Sequence, residues 1–294
     1  MYPALIEEYL APTTLEDALA ALARHRRDAR IIAGGMSLMQ LMKSREAEPR
    51  CLVDLGKIAS LREVRIDPSG VRIGAMARYK EIATEPRLQG AYGALGDAAR
   101  VIGDRQVRNR GTIGGNLCFN DIAADLPSVV LALEAQLEVA GPNGQRRTVP
   151  AAQFLRGPRE VRLADGEILT AVLLPPPPLR SGSAYLKYGF TVDGPPVIGV
   201  AAAVRLDPDG RCAAAAIAVG GVPRARRVAQ AERALIGRTA RDQASLVEAA
   251  ELAAQEIETQ DDLWADRAYR KVLIRQLGRQ AVARAFGRAA GGAS

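Results

Sequence analysis

The sequence predicts an α+β protein of two domains, and three observations carry that prediction. Apolar runs of strand length are interleaved with segments of helical period through the first 176 residues. An extended, donor-poor stretch, "PPPPLRSG" from Pro175 to Gly182, then interrupts the pattern. Beyond it come strand-like runs followed by helical segments, the order of an α+β unit. A chain of 294 residues has room for about two cores. The boundary falls near residue 177, giving domains 1–176 and 177–294.

In chain order, "TTLEDALAALARH" opens with a hydroxyl cap at Thr13 or Thr14. It has acids in its first turn and aligns Leu15, Ala18, Leu19 and Leu22, the marks of an amphipathic helix. "ARIIAGG" is a short apolar strand ending in paired glycines, and "SLMQLMKSR" returns to helical period with Ser37 at its start. "CLVDL", "LREVRI" and "VRIGAM" read as strands. "YKEIATEPRLQGAYGALGDAARVIG" is helical, broken near Pro86 and Gly90. "LPSVVLALEA" begins a helix near Pro127, and "QLEVAGPNGQRRTVP" is a hairpin turning at Pro142, Asn143 and Gly144. "EILTAVLLP" is a buried strand. After the linker, "SAYLKYGF", "VIGVAAAVRLD" and "CAAAAIAVGGV" are strands, followed by helices over 227–236, 240–258 and 265–287.

The composition narrows the function. Hydrophobic and charged contents of 48% and 25% are those of an ordinary soluble globular protein. The net charge of +7 is concentrated near the C-terminus, in Arg267, Arg270, Lys271, Arg275, Arg279, Arg284 and Arg288. At helical spacing these describe a solvated or partner-facing helix. No aromatic residues are interleaved to stack on bases, which argues against nucleic-acid binding. Cys51, Cys118 and Cys212 form no C-x-x-C, so neither a zinc site nor an iron–sulfur cluster is indicated in this chain. Free cysteines suit a reducing cytoplasm. "MYPALIEEYLAPTT" lacks the basic start of a signal peptide, and no apolar run is long enough to span a bilayer. The lone histidine, His25, reads as a helix-surface residue, which disfavours chemistry needing a histidine base.

Two glycine motifs stand out. "AGGMS", Ala33 to Ser37, follows a strand and precedes a helix, an order that presents backbone N–H groups to an anion. "TIGGN", Thr112 to Asn116, is followed by Asp125. Each has a plain structural explanation: a strand-to-helix turn for the first, a hairpin or bulge with an Asp helix cap for the second. Taken together, two Gly-Gly turns bordered by hydroxyl residues would cradle a pyrophosphate from two sides. Asn116 and Asp125 would then reach hydroxyls of a sugar or polyol. Neither G-x-G-x-x-G nor G-x-x-x-x-G-K-[ST] is present, so Rossmann and P-loop sites lack their key residues.

On these motifs the chain resembles the FAD-binding medium subunit of molybdenum hydroxylases, the xanthine dehydrogenase and carbon monoxide dehydrogenase family. "RIIAGGMSLMQLMK" is similar to the family's first flavin motif and "IGDRQVRNRGTIGGNLCFNDIAADLP" to its second. "EILTAVLLP" and "SAYLKYG" are similar to its later flavin-contacting segments. The resemblance implies a two-part FAD-binding domain of the vanillyl-alcohol-oxidase/CO-dehydrogenase flavoprotein type, with two α+β lobes split near residue 57. A C-terminal α+β domain with a small antiparallel sheet and helices would follow.

The resemblance also implies site roles. Ile32, Ala33, Gly34, Gly35, Met36, Ser37 and Leu38 would wrap the FAD pyrophosphate through backbone amides and the serine. Thr112, Gly115 and Asn116 would form the second wall, and Asp125 would bind the ribityl or phosphate-proximal region. Ile102 and Leu169 would pack near the isoalloxazine ring. Lys187 would sit at its pyrimidine end, where an ammonium raises the reduction potential. Two departures from the family pattern are Met36, where a polar residue is usual, and "YGFTVDGPPVIG" after Lys187, which lacks a basic run. Tyr185 and Tyr188 are candidates to shield or open the flavin's outer face.

The implied activity is that of an oxidoreductase subunit without a catalytic acid or base of its own and without a metal. Electrons would arrive from a [2Fe-2S] small subunit, fed by a molybdopterin-bearing large subunit, in a dimer of heterotrimers. FAD would pass them to NAD, oxygen, a quinone or a cytochrome-type carrier. The substrate, whether carbon monoxide, a purine, another N-heterocycle or an aromatic thioester, would belong to the partner. One rival is a stand-alone FAD oxidoreductase, for example of the UDP-N-acetylenolpyruvoylglucosamine reductase kind. Another is a basic scaffold or nucleic-acid-binding protein in which the glycines are only structural.

Overall fold

The computed structural model describes residues 5–291. Residues 1–4 and 292–294, at the outer ends of the two predicted domains and including the start of the "MYPALIEEYLAPTT" stretch, lie outside the described residues. The elements group around three cores.

The first lobe contains β1 (Glu8–Leu10), α1 (Leu15–His25), β2 (Ala29–Ile32), α2 (Leu38–Ser44) and β3 (Cys51–Asp54). Its three strands are parallel in the order β1-β3-β2. Thr14 caps α1 by accepting from the Asp17 amide, and the helix buries Leu15, Ala18, Leu19 and Leu22 against the sheet. His25 differs from the sequence expectation. Its side chain is mostly buried and faces Glu8, 3.3 Å away, because α1 ends against β1.

The second lobe begins with β4 (Val64–Asp67), β5 (Gly70–Gly74), α3 (Tyr79–Thr84), α4 (Gly93–Val101), α5 (Arg105–Arg110), α6 (Ile113–Phe119) and α7 (Leu126–Ala132). It continues through β6 (Gln136–Ala140), β7 (Arg146–Pro150), α8 (Ala151–Phe154), β8 (Leu155–Gly157), β9 (Glu160–Val161) and β10 (Ile168–Leu174). Strands β4-β5-β10-β6-β7 make an antiparallel sheet in that order. The second glycine pair is not a turn. Gly114 and Gly115 lie in the first turn of α6, capped by Thr112, whose Oγ1 accepts from the Gly115 amide at 3.1 Å.

The last lobe holds β11 (Ser181–Tyr188), β12 (Ile198–Leu206), β13 (Cys212–Gly220), β14 (Arg226–Arg227), α9 (Ala229–Leu235), α10 (Gln243–Glu256) and α11 (Arg267–Ala289). Its sheet is antiparallel, in the order β11-β12-β13-β14. Strand alternation explains the alanine-rich runs. Val200, Ala202, Val204, Ile217 and Val219 face the core shared with α9, α10 and α11. The opposite face carries Ser183, Tyr185 and Lys187 beside Gly199, Ala201 and Ala203, with Gly220, Ala218 and Ala216 paired across them. These small side chains let α4 and α7 of the second lobe settle on the sheet, and Tyr185, Ala201 and Ala218 join the second lobe's core.

The basic C-terminal helix is not a solvated stripe. Arg270 is 2% exposed and donates to the carbonyls of Val197 and Gly221 and to Asp262. Lys271 closes the C-terminal end of α10 by donating to the carbonyls of Ala254 and Ile257. Arg275 pairs with Glu251 and Arg288 with Asp97. The sequence places cations at helical spacing, but α11 lies across the sheet and turns four of them toward acceptors. Arg267 pairs with Asp261 at the surface, and Arg279 and Arg284 are exposed. Among the described residues no helix is long and apolar enough to cross a membrane.

Arg288 clamps α11 to α4. Its two Nη atoms lie 2.7 and 3.0 Å from the Asp97 carboxylate oxygens, with both side chains nearly buried. The Arg288→Ala substitution removes the buried counter-ion and leaves that carboxylate only the half-exposed Arg100, 3.5 Å away, as a cationic partner. It is expected to cost on the order of 3 kcal/mol, read from urea denaturation of the variant.

Candidate functional site

A cleft of about 1080 Å³ opens between the first two lobes, just above the roughly 300–1,000 Å³ usual for small-molecule sites. One wall is the β2–α2 connection; the other is the start of α6. The two walls touch directly. A Cβ on Gly34 would collide with the Arg110 carbonyl, and one on Gly111 with the Tyr79 ring. Gly114 is pressed equally hard against Ala75. These three glycines therefore exist to let protein approach protein, not to let a ligand approach the backbone. Gly35 is different: its φ of +76° requires glycine, and its Cβ direction meets only ordinary van der Waals neighbours.

The two walls also differ in what they offer. The amides of Gly34, Gly35, Met36 and Ser37 have no acceptor among the described residues. In the second motif the four amides after Thr112 are satisfied: Ile113 donates to the Ala77 carbonyl, Gly114 to Ala75, Gly115 to Thr112 Oγ1 and Asn116 to the Thr112 carbonyl. A cradle built from both Gly-Gly pairs is thus not what forms. The first wall offers a run of four free N–H groups for an anion, while the second presents the Asn116 side chain. Asn116 Oδ1 is buried without a hydrogen-bond partner, an orphan that calls for a donor from a bound molecule.

Behind the cleft lies a buried ionic group. Asp125, 4% exposed, precedes α7 but does not cap it. Its Oδ1 instead accepts from the Tyr185 hydroxyl at 2.8 Å and lies 3.2 Å from Lys187 Nζ. Lys187 also donates to the Gly194 carbonyl at 2.9 Å. Burial pushes the Asp125 carboxyl up to about 6, opposed by the Lys187 charge and the two hydrogen bonds. Because this value is raised, the group favours the fold fully in acid, below its unfolded value, and that contribution is lost as pH rises through about 6. Lys187 is therefore no exposed strand lysine; its side chain is 7% exposed.

The sequence-predicted residues divide as follows. Ala33 to Leu38, Thr112, Gly115, Asn116 and Leu169 line the cleft. Asp125 and Lys187 stand one layer behind, where Ala124 and Pro195 form the surface. Ile32 ends β2, its chain paired with Asp54, and Ile102 is packed in the second core away from the cleft. Tyr185 is buried and bonded to Asp125, so it cannot shield an outer face. Tyr188 packs edge-on against Phe190 and Tyr269. Sequence reasoning missed Tyr79, whose hydroxyl neighbours the Asn116 amide, and the Arg26, Arg27 and Arg30 side chains along the cleft. The fold alone brings Tyr79, more than 30 positions earlier, to the second motif, while the three arginines precede the first motif by a few residues and only the tertiary structure shows them along the cleft. Cys118 also lines the cleft, and burial pushes its thiol up to about 12, which makes it a poor nucleophile.

Comparison with known proteins adds a second line. Residues 5–177 match the family described as the FAD binding domain in molybdopterin dehydrogenase, and residues 195–285 match the CO dehydrogenase flavoprotein C-terminal domain. The chain is 34% identical to the 6-hydroxypseudooxynicotine dehydrogenase complex subunit alpha of Paenarthrobacter nicotinovorans, covering 96% of this chain and 95% of that one. It is 34% identical to the carbon monoxide dehydrogenase medium chain of Afipia carboxidovorans, over 96% and 97% of the two chains. The carbon monoxide dehydrogenase structure from Hydrogenophaga pseudoflava superimposes with a TM-score of 0.92 at 35% identity, over 98% of this chain and 99% of that one.

The contact between the walls is testable by a single methyl group. Gly34→Ala is expected to lose roughly 1–3 kcal/mol of stability, because neither backbone segment can yield cheaply. Gly287→Ala, in a helix with nothing within 4 Å of its Cβ direction, is expected to be neutral or to gain up to about 1 kcal/mol. Denaturation midpoints of the two variants give the comparison.

Proposed function

Because the chain belongs to the FAD-binding medium-subunit family of the molybdenum hydroxylases, we propose that it relays electrons from a [2Fe-2S] subunit through FAD to an external acceptor. The chain is the flavoprotein part of an oxidoreductase. The observation that carries the site assignment is the pairing of four acceptor-free amides on one wall with the orphaned Asn116 Oδ1 on the other. That set of donors and acceptors fits a dinucleotide, which brings phosphate oxygens to the amides and hydroxyl hydrogens to the asparagine.

Bound FAD supplies the redox chemistry, and the chain's own residues bind and tune it. The amides of Gly34 to Ser37, with the Ser37 hydroxyl, hold the pyrophosphate, flanked by Ile32, Ala33 and Leu38. Met36 contributes its amide and no side-chain hydrogen bond. Thr112 and Gly115 fix the opposite wall so that Asn116 reaches the ribityl hydroxyls. Leu169, which lines the cleft, excludes water from the ring, while Ile102 lies in the second core and takes no part in holding it. Asp125 and Lys187 act from behind the wall: the lysine offers positive charge, and the carboxylate sets where that charge sits.

In this reading the assembly is a dimer of heterotrimers in the cytoplasm, with a molybdopterin-bearing large subunit that chooses the substrate. The acceptor is NAD, oxygen, a quinone or a cytochrome-type carrier.

The decisive measurement is the visible spectrum of the purified chain, with the released cofactor identified by mass. FAD released from this chain supports the reading; a chain that stays colourless after FAD is added back removes it. Asn116→Ala combined with Asp125→Ala is expected to lose FAD while keeping the fold by circular dichroism, and unchanged occupancy refutes the site. Lys187→Ala is expected to make the flavin harder to reduce, by on the order of 1–4 kcal/mol for one charge in a medium of intermediate dielectric. A redox titration reads that directly.

A further inference from the structure

Asp125 and Lys187 come from different lobes, and the residue that joins them is Tyr185. It lies two positions before Lys187 on β11, so strand alternation puts both side chains on the face that α4 and α7 cover. The Tyr185 hydroxyl donates to the Asp125 oxygen that Lys187 also approaches.

The tyrosine is held at both ends. Its amide donates to Asp97 Oδ2 at 3.1 Å, and Arg288 grips the same carboxylate. Its ring end lies over Gly199, where a Cβ would collide with the hydroxyl. The sheet thus carries a hollow at the one position facing the phenol oxygen. Burial and the neighbouring carboxylate push the Tyr185 hydroxyl well above its ordinary range, so it remains a neutral donor at any working pH. The titratable groups facing Asp125 are Lys187 and Tyr185 from β11 and Tyr79 from α3. Of these, only Lys187 is a basic side chain.

We propose that Tyr185 is a positioning residue for the flavin. By donating to Asp125 Oδ1 it holds that carboxylate against the Lys187 ammonium, so that the two charges act on bound FAD as one fixed unit. This rests on the FAD reading of Asp125 and Lys187.

Without the hydroxyl, the buried carboxylate loses one of the two side-chain partners that favour its charged form, so it stays protonated to higher pH. The electrostatic field of the pair then changes with it. The test is the FAD midpoint potential of the purified complex, with FAD in excess, followed from acid to neutral pH. In the native protein the potential is expected to bend near about pH 6, where Asp125 titrates. In Tyr185→Phe, FAD is expected to stay bound and the bend to move upward. In Asp125→Asn the bend is expected to vanish, and adding Tyr185→Phe to that variant to change nothing more.

A Tyr185→Phe profile identical to the native one overturns the proposal, and the FAD reading survives it if Lys187→Ala still shifts the potential. If neither Asp125→Asn nor Lys187→Ala changes the potential or the FAD affinity, the underlying reading fails and takes the proposal with it. Should Tyr185→Phe fail to accumulate, 3,5-difluorotyrosine at the same position offers a stronger donor of similar size. The bend is then expected to move downward, and an unmoved bend again overturns the proposal.

Discussion

A carboxylate sealed from water by one lobe has its side-chain partners on another, and the rest of the site depends on that fact. Asp125 sits at the head of α7, while Tyr185 and Lys187 project from β11. An unpaired buried carboxylate would be neutralised or costly by several kcal/mol, so the lobes cannot separate without exposing or stranding it. The Asp97–Arg288 pair repeats the device one helix away and fixes the Tyr185 backbone in the same stroke. Together the two buried contacts make the back of the cleft a property of the lobes' union.

The glycines carry a second constraint. Three of those in the motif region are sites of backbone or ring contact within the protein: Gly34 brings the two walls together, while Gly111 and Gly114 seat the second wall on Tyr79 and Ala75. That closeness has a consequence for chemistry. With α6 capped by Thr112 and its first amides bonded to Ala75 and Ala77, the glycines of the second wall have no N–H to spare, and the unmet hydrogen-bonding capacity of the backbone concentrates in Gly34 to Ser37. An anion-binding loop and a rigid backing are thus built from two similar-looking motifs.

The same reasoning accounts for the positive charge. Most of the basic residues near the C-terminus are used within the fold: Arg270 on carbonyls at the ends of β12 and β13, Lys271 on the end of α10, and Arg288 on α4. A charged helix of this composition holds a sheet, the end of α10 and the middle of α4 together, which makes electrostatic attraction to a polyanion an unnecessary explanation for it.

Local patterning determined much of this protein from the sequence alone. The cap and apolar face of α1, the hairpin turning at Pro142 to Gly144 and the strands after the linker depend on neighbours within a few residues, where propensity and periodicity act. The first glycine motif was legible for the same reason, since strand, glycine pair and helix start adjoin in the chain. Tertiary structure decided what local sequence cannot encode. Whether Gly114 and Gly115 form a turn or a helix start depended on Ala75 and Ala77 as acceptors. Whether Lys187 is solvated or buried depended on Asp125, 62 residues earlier, and whether Arg270 faces water depended on carbonyls of Val197 and Gly221. The physical reason is common to all three. A polar group's state is set by the partner that desolvation forces it to find, and that partner is supplied by packing between elements far apart in the chain.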